Sequence, residues 1–471
     1  MKGKRGELHY KNLKSNYNKN NKENYLTLVL LHVGFAFLIA LIPIFSKIYF
    51  IALILFFLHR IFNAPEKEKH KEVIMACCYV VGSEVLFRMT SGAFFYEGSK
   101  YLVILFAIIG LFYNGFSNKA YPYFIYLILL IPSIIVAYMT IGYDSNFRTN
   151  IAFVLSGPVC LGISALYLLN KKLYMNDFLK ALLYLSLPII TMTVYLFLYS
   201  PSIKDILKGT QSNFAASGGF GPNQVATVLG LGMFALTVRF FMKSPTLTLK
   251  IFNGVLLGLI SFRGIVTFSR GGIITAVLII IPFLYLLFFK STKQMKGRII
   301  YTLILFSVLG VAVWFISSNQ TMGLIDKRYA NQDVSGRDKE DLSTGRVTLF
   351  MDDLQGFIEN PLLGVGANGA KELRLKKGQG LKASHNELSR LFSEHGTLAF
   401  FILLILIFVP LLYRLENKRN IFFYSMLGFW FATINHSAMR IAAPGFIYAL
   451  ALLNVYYDKR PLCRKRLIKK G

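Results

Sequence analysis

Two short polar motifs hold the residues of this chain whose types and spacing suit catalysis. The first, Thr267-Phe-Ser-Arg-Gly-Gly272, lies between two apolar runs, and the second, Ser384-His-Asn-Glu387, ends a long polar segment. An arginine stays charged and donates paired hydrogen bonds to phosphate, while a neutral histidine accepts a proton near pH 7. If the motifs share one membrane face, Arg270 and His385 indicate an enzyme that acts on a lipid-linked phosphate.

The composition of the chain places it in a membrane. Of its 471 residues, 55% are hydrophobic and 16% are charged, and the mean hydropathy is +0.52. Its apolar runs predict about fourteen spans, centred near residues 35, 54, 81, 108, 131, 160, 189, 232, 259, 280, 308, 404, 428 and 448. We therefore expect an all-α, polytopic transmembrane helical bundle of about 12–14 spans, with one long external loop that contains amphipathic helices.

The net charge of +29 is explained by membrane orientation rather than by nucleic acid. With the N-terminus inside, most basic residues fall in cytoplasmic tails and loops, as the positive-inside rule requires. The predicted order is a cytoplasmic basic tail at 1–25, a bundle of about eleven spans at 26–317 and an external, periplasmic loop with the histidine at 318–395. The last three spans at 396–457 and a cytoplasmic basic tail at 458–471 follow.

The motifs give no sign of a metal site or of nucleotide hydrolysis. The sequence contains neither a metal-type Cys or His cluster nor a GxxxxGK phosphate loop. Three of its four cysteines, Cys77, Cys78 and Cys160, fall inside predicted spans, so we expect no disulfide. We also expect no metal and no other cofactor.

Within the external loop the sequence predicts an amphipathic helix that lies on the membrane or on the bundle. Ser343 or Thr344 is the candidate N-cap, and the helix ends at Asn360-Pro361. The glycine-rich stretch from Gly364 to Gly369 is expected to be flexible. A basic stretch follows, and it is either a solvated charge run or a surface for phosphate-bearing lipid or glycan. Its members are Lys371, Arg374, Lys376, Lys377 and Lys382.

The spacing of Ser384 and Glu387 is that of a capping box, which predicts that His385 lies in the first turn of a helix. The partial positive charge of a helix N-terminus disfavours imidazolium and helps to keep His385 neutral. On residue type alone, a histidine in a loop is ordinary, so this position does not by itself indicate catalysis.

Arg263 precedes Arg270 by seven residues, which predicts that both point to the same side of one helix, with Arg263 about 10 Å deeper. Interfacial snorkelling is the alternative for Arg270. For Arg263 the alternative to a binding role is an internal ion pair. Glu84 and Arg88, four residues apart in the third span, are predicted to form such a pair.

Taken in order, these motifs resemble the bacterial superfamily of O-antigen ligases and O-antigen polymerases, which also contains protein O-oligosaccharyltransferases. The resemblance covers roughly residues 210–410 and rests on motifs that are individually weak but occur in the right order. They are Gly221-Pro-Asn223, Phe268-Ser-Arg270-Gly-Gly272, Gly345-Arg346, Gly364-Val-Gly366, and His385-Asn386 followed by Gly396. One departure is Gly396-Thr-Leu-Ala399, where the family often has a second glycine.

The resemblance implies a multi-pass glycosyltransferase of the bacterial inner membrane. Such an enzyme moves a glycan from polyprenyl (undecaprenyl) diphosphate to an acceptor hydroxyl at the periplasmic face, without nucleotide or metal. Carried over by position, the catalytic residues are Arg270, Arg346 and His385. The candidate substrate-binding residues are Arg263, Asn223, Asn386, Lys371, Arg374, Lys376 and Lys377.

Several acceptors fit this expectation. The lipid A core of lipopolysaccharide is the first choice because the basic stretch suits a phosphorylated core. A growing glycan, as in an O-antigen or exopolysaccharide polymerase, is the close alternative, and protein O-glycosylation is another. In a different class, Arg88 and Arg263 could line the path of a transporter of lipid-linked glycan or small anions.

Overall fold

The computed structural model describes residues 24–141, 146–207, 209–339, 345–378 and 384–457. Its first long helices are α1 (Asn24–Leu41), α2 (Phe45–Asn63), α3 (Lys69–Met89), α4 (Gly98–Asn114), α5 (Tyr121–Ile141), α6 (Phe147–Leu168) and α7 (Met175–Tyr199). After a short α8 (Ile203–Ile206) come α9 (Pro222–Met242), α10 (Leu247–Ile265), α11 (Arg270–Phe289) and α12 (Lys293–Gln320). The last three are α17 (Leu398–Glu416), α18 (Phe423–Ile434) and α19 (Ala442–Ala451).

The segment between α12 and α17 forms four further helices. They are α13 (Leu324–Tyr329), α14 (Arg346–Glu359), α15 (Gly369–Lys376) and α16 (Glu387–His395). Two three-residue strands, β1 (Lys172–Tyr174) and β2 (Asn454–Tyr456), pair in parallel and join the chain after α6 to the chain after α19. The predicted all-α helical bundle is therefore confirmed.

Each of the fourteen predicted span centres falls within one helix of this bundle. Ten of the described helices are long and apolar enough to cross a membrane. The predicted spans near residues 428 and 448 are instead the short helices α18 and α19, of 12 and 10 residues. At ~1.5 Å per residue neither covers ~30 Å of hydrocarbon. They behave as two half-length helices joined by the turn 435–441, whose residues are mostly buried against protein.

Close packing between the long helices depends on small residues. A Cβ at Gly82 of α3 would lie 2.2 Å from the Leu185 carbonyl oxygen of α7, and a Cβ at Gly230 of α9 would lie 2.7 Å from the Gly272 carbonyl oxygen of α11. Without these glycines the backbones would have to separate, because helices in membranes associate through close contact rather than through a hydrophobic driving force. The predicted ion pair between Glu84 and Arg88 is also present, at 2.7 Å inside α3.

Helix α14 confirms the predicted amphipathic helix. It runs from Arg346 to Glu359, and several apolar side chains on it are at least 40% exposed, namely Val347, Phe350, Met351, Leu354 and Ile358. Such a face suits the surface of a membrane. The candidate caps Ser343 and Thr344 lie outside the described residues, and Gly345 occupies the N-cap position.

The stretch from Gly364 to Gly366, expected to be flexible, is a tightly packed turn. Gly364 and Gly366 have φ of +73° and +83°, and a Cβ at Gly366 would lie 2.4 Å from the Ala137 backbone of α5. The backbone N–H of Val365 donates to Ser393 in α16, at 2.8 Å. Glycine is needed at these positions because the turn packs closely between α5 and α16.

Candidate active site

The first motif forms a turn between two helices and not one continuous helix. Helix α10 ends at Ile265, and α11 begins at Arg270. Between them Phe268 adopts φ of +60°, while the Ser269 N–H donates to the Thr267 hydroxyl at 3.2 Å. The expectation that Arg263 and Arg270 share one helical face is therefore wrong, because the local hydrogen bond of Thr267 and the left-handed Phe268 end the helix.

The two glycines of the motif allow α11 to pack closely on its neighbours. A Cβ at Gly272 would lie 2.4 Å from the backbone of Ala226 in α9, and one at Gly271 would lie 2.5 Å from the His436 ring. Asn223 follows Pro222 at the start of α9, and its side-chain oxygen accepts a hydrogen bond from the Ser269 hydroxyl at 2.8 Å. The start of α11 is thus fixed on two sides.

Helix α13 holds the motif turn from the loop side. Arg328 is buried, and its Nε donates to the Phe268 carbonyl oxygen at 3.1 Å. In return, Arg270 donates to the Asn331 side-chain oxygen and to the Arg328 carbonyl oxygen. Arg328 was not predicted from the sequence as a site residue. Its only signal was a cation in a short segment directly after a span.

Arg346, the first residue of α14, completes a cluster of three arginines. Burial lowers the pKa of Arg346, and the charge of Arg270 lowers it further. The pKa of Arg328 is lowered by burial and then by the charges of Arg270 and Arg346. Across the described ranges, none of the three forms an ion pair with a carboxylate. Three fixed cations that oppose one another suit an anion of high charge, such as a diphosphate.

His385 lies before α16 and not in its first turn. The N-cap is Asn386, whose side-chain oxygen accepts from the N–H groups of Leu388 and Ser389. The predicted capping box is therefore wrong. The Ser384 hydroxyl bonds instead to Asp353 at 2.9 Å, and Glu387 pairs with Arg390 in the next turn.

The imidazole of His385 is held in the neutral form. Burial lowers its pKa to about 4, and the charges of Arg440, Arg346, His436 and Arg374 act in the same direction. The cause is thus desolvation and nearby cations, and not the helix N-terminus expected from the sequence. Its Nδ1 is buried and has no hydrogen-bond partner among the residues that the structure describes. A neutral, largely desolvated imidazole is the form that can accept a proton.

The two motifs come together at the turn 435–441. A Cβ at Gly271 would lie 2.5 Å from the His436 ring, and Arg440 of the same turn donates to the Ser384 carbonyl oxygen at 2.9 Å. Both motifs therefore lie at the end of the bundle where α10 ends, α11 begins and α12 leads into α13. The expected convergence of the two motifs on one end of the bundle is therefore present in the structure.

The turn between α18 and α19 adds residues that the sequence analysis missed. Arg440 donates to the Ser384 carbonyl oxygen at 2.9 Å, and the N–H of Met439 donates to Glu387 at 3.3 Å. The Asn386 amide donates to the Asn435 side chain at 3.3 Å. His436 donates from Nδ1 to the Ala432 carbonyl oxygen and packs on Gly271. This turn therefore contacts the residues on both sides of His385, namely Ser384 and Asn386.

Arg374 is a buried residue beneath His385. It is 1% exposed, forms an ion pair with Asp353 and donates to the Ser384 hydroxyl at 3.0 Å. Asp353 also accepts from the Ser389 hydroxyl at 2.6 Å. This network ties α14, α15 and α16 together around Ser384, so Arg374 fixes the position of the neighbouring histidine.

The other predicted binding residues differ in exposure. Lys376 and Lys377 are exposed on α15, whereas Lys371 is partly buried. Lys377 donates to Gln355 at 3.1 Å, and Lys382 lies outside the described residues. Lys371 lines a cavity together with Arg374, Ser384 and Arg440, so it is the lysine of this stretch that lies beside the cluster around His385.

Arg263 lies apart from this cluster, in the last turn of α10. It is fully buried and donates to the Ser200 hydroxyl at 2.8 Å and to the Ala216 carbonyl oxygen at 2.9 Å. Its guanidinium also lies over the Phe197 ring, 5.1 Å from the centroid. Within the described ranges it has no carboxylate partner, so the internal ion pair considered for Arg263 is not formed there.

Comparison with known families bears on this arrangement. The family model described as O-antigen ligase matches residues 254–404, about a third of the chain. Within this segment the chain is similar to the O-antigen ligase family. The matched segment contains Arg270, Arg346 and His385, whereas the turn with His436 and Arg440 lies beyond it. No curated protein matches the chain.

Similarity to the O-antigen ligase family over residues 254–404 favours a general class of activity. It suggests glycosyltransferase-type chemistry on lipid-linked glycans in a membrane. The ten long apolar helices agree with a multi-pass membrane protein. An arginine cluster beside a neutral histidine is an arrangement that can hold a diphosphate and accept a proton.

Proposed function

We propose that the chain is an O-antigen ligase-like membrane glycosyltransferase that moves a glycan from a polyprenyl diphosphate to the lipid A core of lipopolysaccharide. The observation that carries the proposal is that both motifs contact the turn 435–441: the His436 ring lies against Gly271, and Arg440 and Asn435 bond to Ser384 and Asn386. This arrangement supports a site in which cations bind the leaving group and a neutral base serves the acceptor. The family match supports the same class of reaction.

The arginines would bind the diphosphate of the donor. Arg270 is held by Asn331, and Arg346 donates no hydrogen bond to any residue in the described ranges, so its guanidinium is available to a ligand. Fixed donors that need no reorganisation stabilise the negative charge that develops on the departing diphosphate. Arg328 adds a third charge to this group and fixes the turn that carries Arg270.

His385 would act as the general base. Its imidazole takes the proton of the acceptor hydroxyl while the hydroxyl oxygen attacks C1 of the donor sugar. The bond from C1 to the diphosphate oxygen breaks, and its electron pair leaves with the diphosphate. Attack opposite the leaving group inverts the configuration at C1. The step needs neither a nucleotide nor a metal ion.

The acceptor is proposed from the basic residues of this region. Lys371 lines a cavity with Arg374, Ser384 and Arg440, and Lys376 and Lys377 are exposed at the end of α15. Asn223 and Asn386 offer polar groups beside Ser269 and His385. A phosphorylated saccharide such as the lipid A core suits such cations. We place the site at the periplasmic face of the bacterial inner membrane, with both termini cytoplasmic, since the basic residues follow that orientation.

Glycan transfer by the purified chain tests the proposal. Polyprenyl-diphosphate-linked glycan and lipid A core are supplied without nucleotide or metal, and the wild type is compared with His385→Ala and with His59→Ala, an exposed histidine of α2. Product from the wild type and from His59→Ala, but not from His385→Ala, supports a ligase. If longer carrier-linked glycans form instead, the chain is a polymerase. Transfer to a protein hydroxyl would identify a protein glycosyltransferase, and uptake of the lipid-linked glycan without transfer would identify a transporter.

A further inference from the structure

A groove of about 470 Å³ lies between α10 and α12, next to the end of α7. Its walls are almost entirely apolar and include Phe197, Val255, Leu259, Phe262, Leu309 and Ile316. Val255 and Ile316 are 55% and 51% exposed, so the groove opens on the outer surface of the bundle, which hydrocarbon surrounds in a membrane. Its volume lies within the ~300–1,000 Å³ of ligand sites.

Arg263 closes the inner part of this groove. The residue is fully buried and lines the groove wall. Its Nε has no hydrogen-bond partner among the described residues, and the other guanidinium nitrogens bond only to Ser200 and to the Ala216 carbonyl oxygen. A buried cation without a carboxylate is costly in a membrane and marks a functional position. The groove therefore has an apolar opening and one positively charged inner wall.

The inner wall of the groove is continuous with the candidate active site. Phe262, Leu309 and Val313 line the groove, and they pack in the same apolar cluster as Phe268 and Ile325. Phe268 belongs to the motif turn before Arg270, and Ile325 belongs to α13, which carries Arg328. The inner end of the groove thus packs against the elements that hold the arginine cluster.

We propose that this groove binds the hydrocarbon chain of the polyprenyl diphosphate donor. The phosphorylated end lies toward Arg263 and the motif turn, and the hydrocarbon extends toward the lipid-facing opening. This inference rests on the proposed function, because it concerns the donor of that reaction. A membrane phospholipid could satisfy the same apolar walls. The donor is favoured because Arg263, a cation with no carboxylate partner among the described residues, stands at the inner end of the groove, where the walls pack against the motif turn.

Gly258 offers a way to fill the groove without disturbing its walls. A Cβ at this position would lie 3.4 Å from Leu309 and 3.6 Å from Val313, which are ordinary contact distances. Gly258→Ala should therefore fit, whereas Gly258→Phe places a ring in the groove. Ile251, two turns earlier on α10, is 59% exposed and lies outside the groove. Ile251→Phe is the matched control, because it adds a ring to the lipid-facing surface alone.

The experiment compares a long-chain donor with a short-chain analogue that carries the same diphosphate and glycan, using protein in lipid nanodiscs. We expect Gly258→Phe to raise KM for the long-chain donor about tenfold and to leave KM for the short-chain donor unchanged. Gly258→Ala and Ile251→Phe should match the wild type with both donors. Equal use of the long-chain donor by Gly258→Phe and the wild type would overturn the groove assignment and leave the proposed reaction standing.

A binding measurement separates the two proposals. A photoactivatable polyprenyl diphosphate should label α10 or α12 in the wild type and in Ile251→Phe, and the labelling should be lost in Gly258→Phe. If the wild type transfers glycan from neither donor, the proposed function fails, and this labelling alone decides the groove. If excess phosphatidylglycerol removes the labelling as effectively as excess polyprenyl diphosphate does, the groove binds membrane phospholipid and the inference is overturned.

Discussion

Arg328 donates from its Nε to the carbonyl oxygen of Phe268, at 3.1 Å. The bond joins α13 to the one residue of the motif turn that has a positive φ, directly before the segment that presents Arg270. Arg270 in turn donates to the carbonyl oxygen of Arg328. The two arginines therefore fix each other through the backbone, although their charges repel. Such mutual support fixes both guanidinium groups beside the motif turn.

Loss of Arg328 should impair catalysis more than folding. Arg328→Ala removes one cation and the bond to Phe268, so we expect kcat to fall about ten- to hundredfold, because Arg270 is no longer held in place. Arg328→Lys keeps the charge without the Nε bond and should recover only part of the rate. Glycan transfer measured on purified protein gives both values. Arg337→Ala, at an exposed arginine of the same loop, is the control and should retain wild-type activity.

The pH dependence of transfer reports the environment of His385. Its pKa is lowered from 6.5 to about 4 by burial and by nearby cations, chiefly Arg440. The base is therefore neutral and active above about pH 4, and kcat/KM should fall only as the pH drops through that value. Arg440→Gln removes a positive charge and should raise the pKa of His385, so the fall of kcat/KM on the acid side of the pH profile (the acid limb) should move to higher pH. Arg440→Lys keeps the charge and should leave the limb near its original position.

A limb near pH 6.5 in the wild type would show that His385 is not desolvated in the working enzyme. Lys67→Gln is the control for a change of net charge alone, since Lys67 is exposed in the turn between α2 and α3 and is not among the causes of the shift. Its limb should match that of the wild type.

The bundle could be predicted from the sequence because apolar length is a local signal. Each predicted span centre falls within a helix, and the amphipathic helix ends at Glu359, next to the predicted Asn360-Pro361 stop. The half-length of α18 and α19 was not predicted, since an apolar run with a polar interruption resembles two short spans. Only the packing of the turn at 435–441 against α6, α11 and α16 distinguishes the two cases.

The candidate catalytic residues could be predicted from the sequence, but the residues that hold them in position could not. Arg270 and His385 stand in motifs that suggest chemistry by residue type, and the neutrality of His385 was expected for a different reason from the one found. Arg328 and Arg440 carry no such signal, because their contacts join segments about 60 residues apart in sequence. Likewise, Asn386 and not Ser384 caps α16, since Ser384 bonds to Asp353 across the loop. Long-range contacts of this kind decide between local alternatives that the sequence leaves open.

Replacement of Asp353 should destabilise the loop helices. The carboxylate pairs with buried Arg374 and accepts from the hydroxyls of Ser384 and Ser389. Asp353→Asn leaves Arg374 with only the longer ion pair to Asp352, and breaking a buried pair costs up to ~3–5 kcal/mol. Thermal unfolding of the purified protein in nanodiscs measures this loss. Asp352→Asn should cost less, because Asp352 is more exposed and lies 3.6 Å from Arg374.

The same network allows a rescue. Arg374→Met in the Asp353→Asn background removes the charge that has lost its closer partner, so the double variant should recover much of the lost stability. Activity should recover less, because Ser384 has lost two partners beside His385. A double variant no more stable than Asp353→Asn would show that the charge of Arg374 is not the source of the loss.

The motif glycines should tolerate no side chain. Gly271→Ala places a Cβ 2.5 Å from the His436 ring, and Gly272→Ala places one 2.4 Å from the Ala226 backbone. A ring can turn aside, whereas a backbone cannot, so Gly272→Ala should lower the unfolding temperature more than Gly271→Ala does. Gly297→Ala is the control, because a Cβ there meets no atom within 4 Å. Inside α12 it should stabilise the chain by ~0.5–1 kcal/mol. Equal unfolding temperatures for Gly272→Ala and Gly297→Ala would contradict the close approach of α9 and α11.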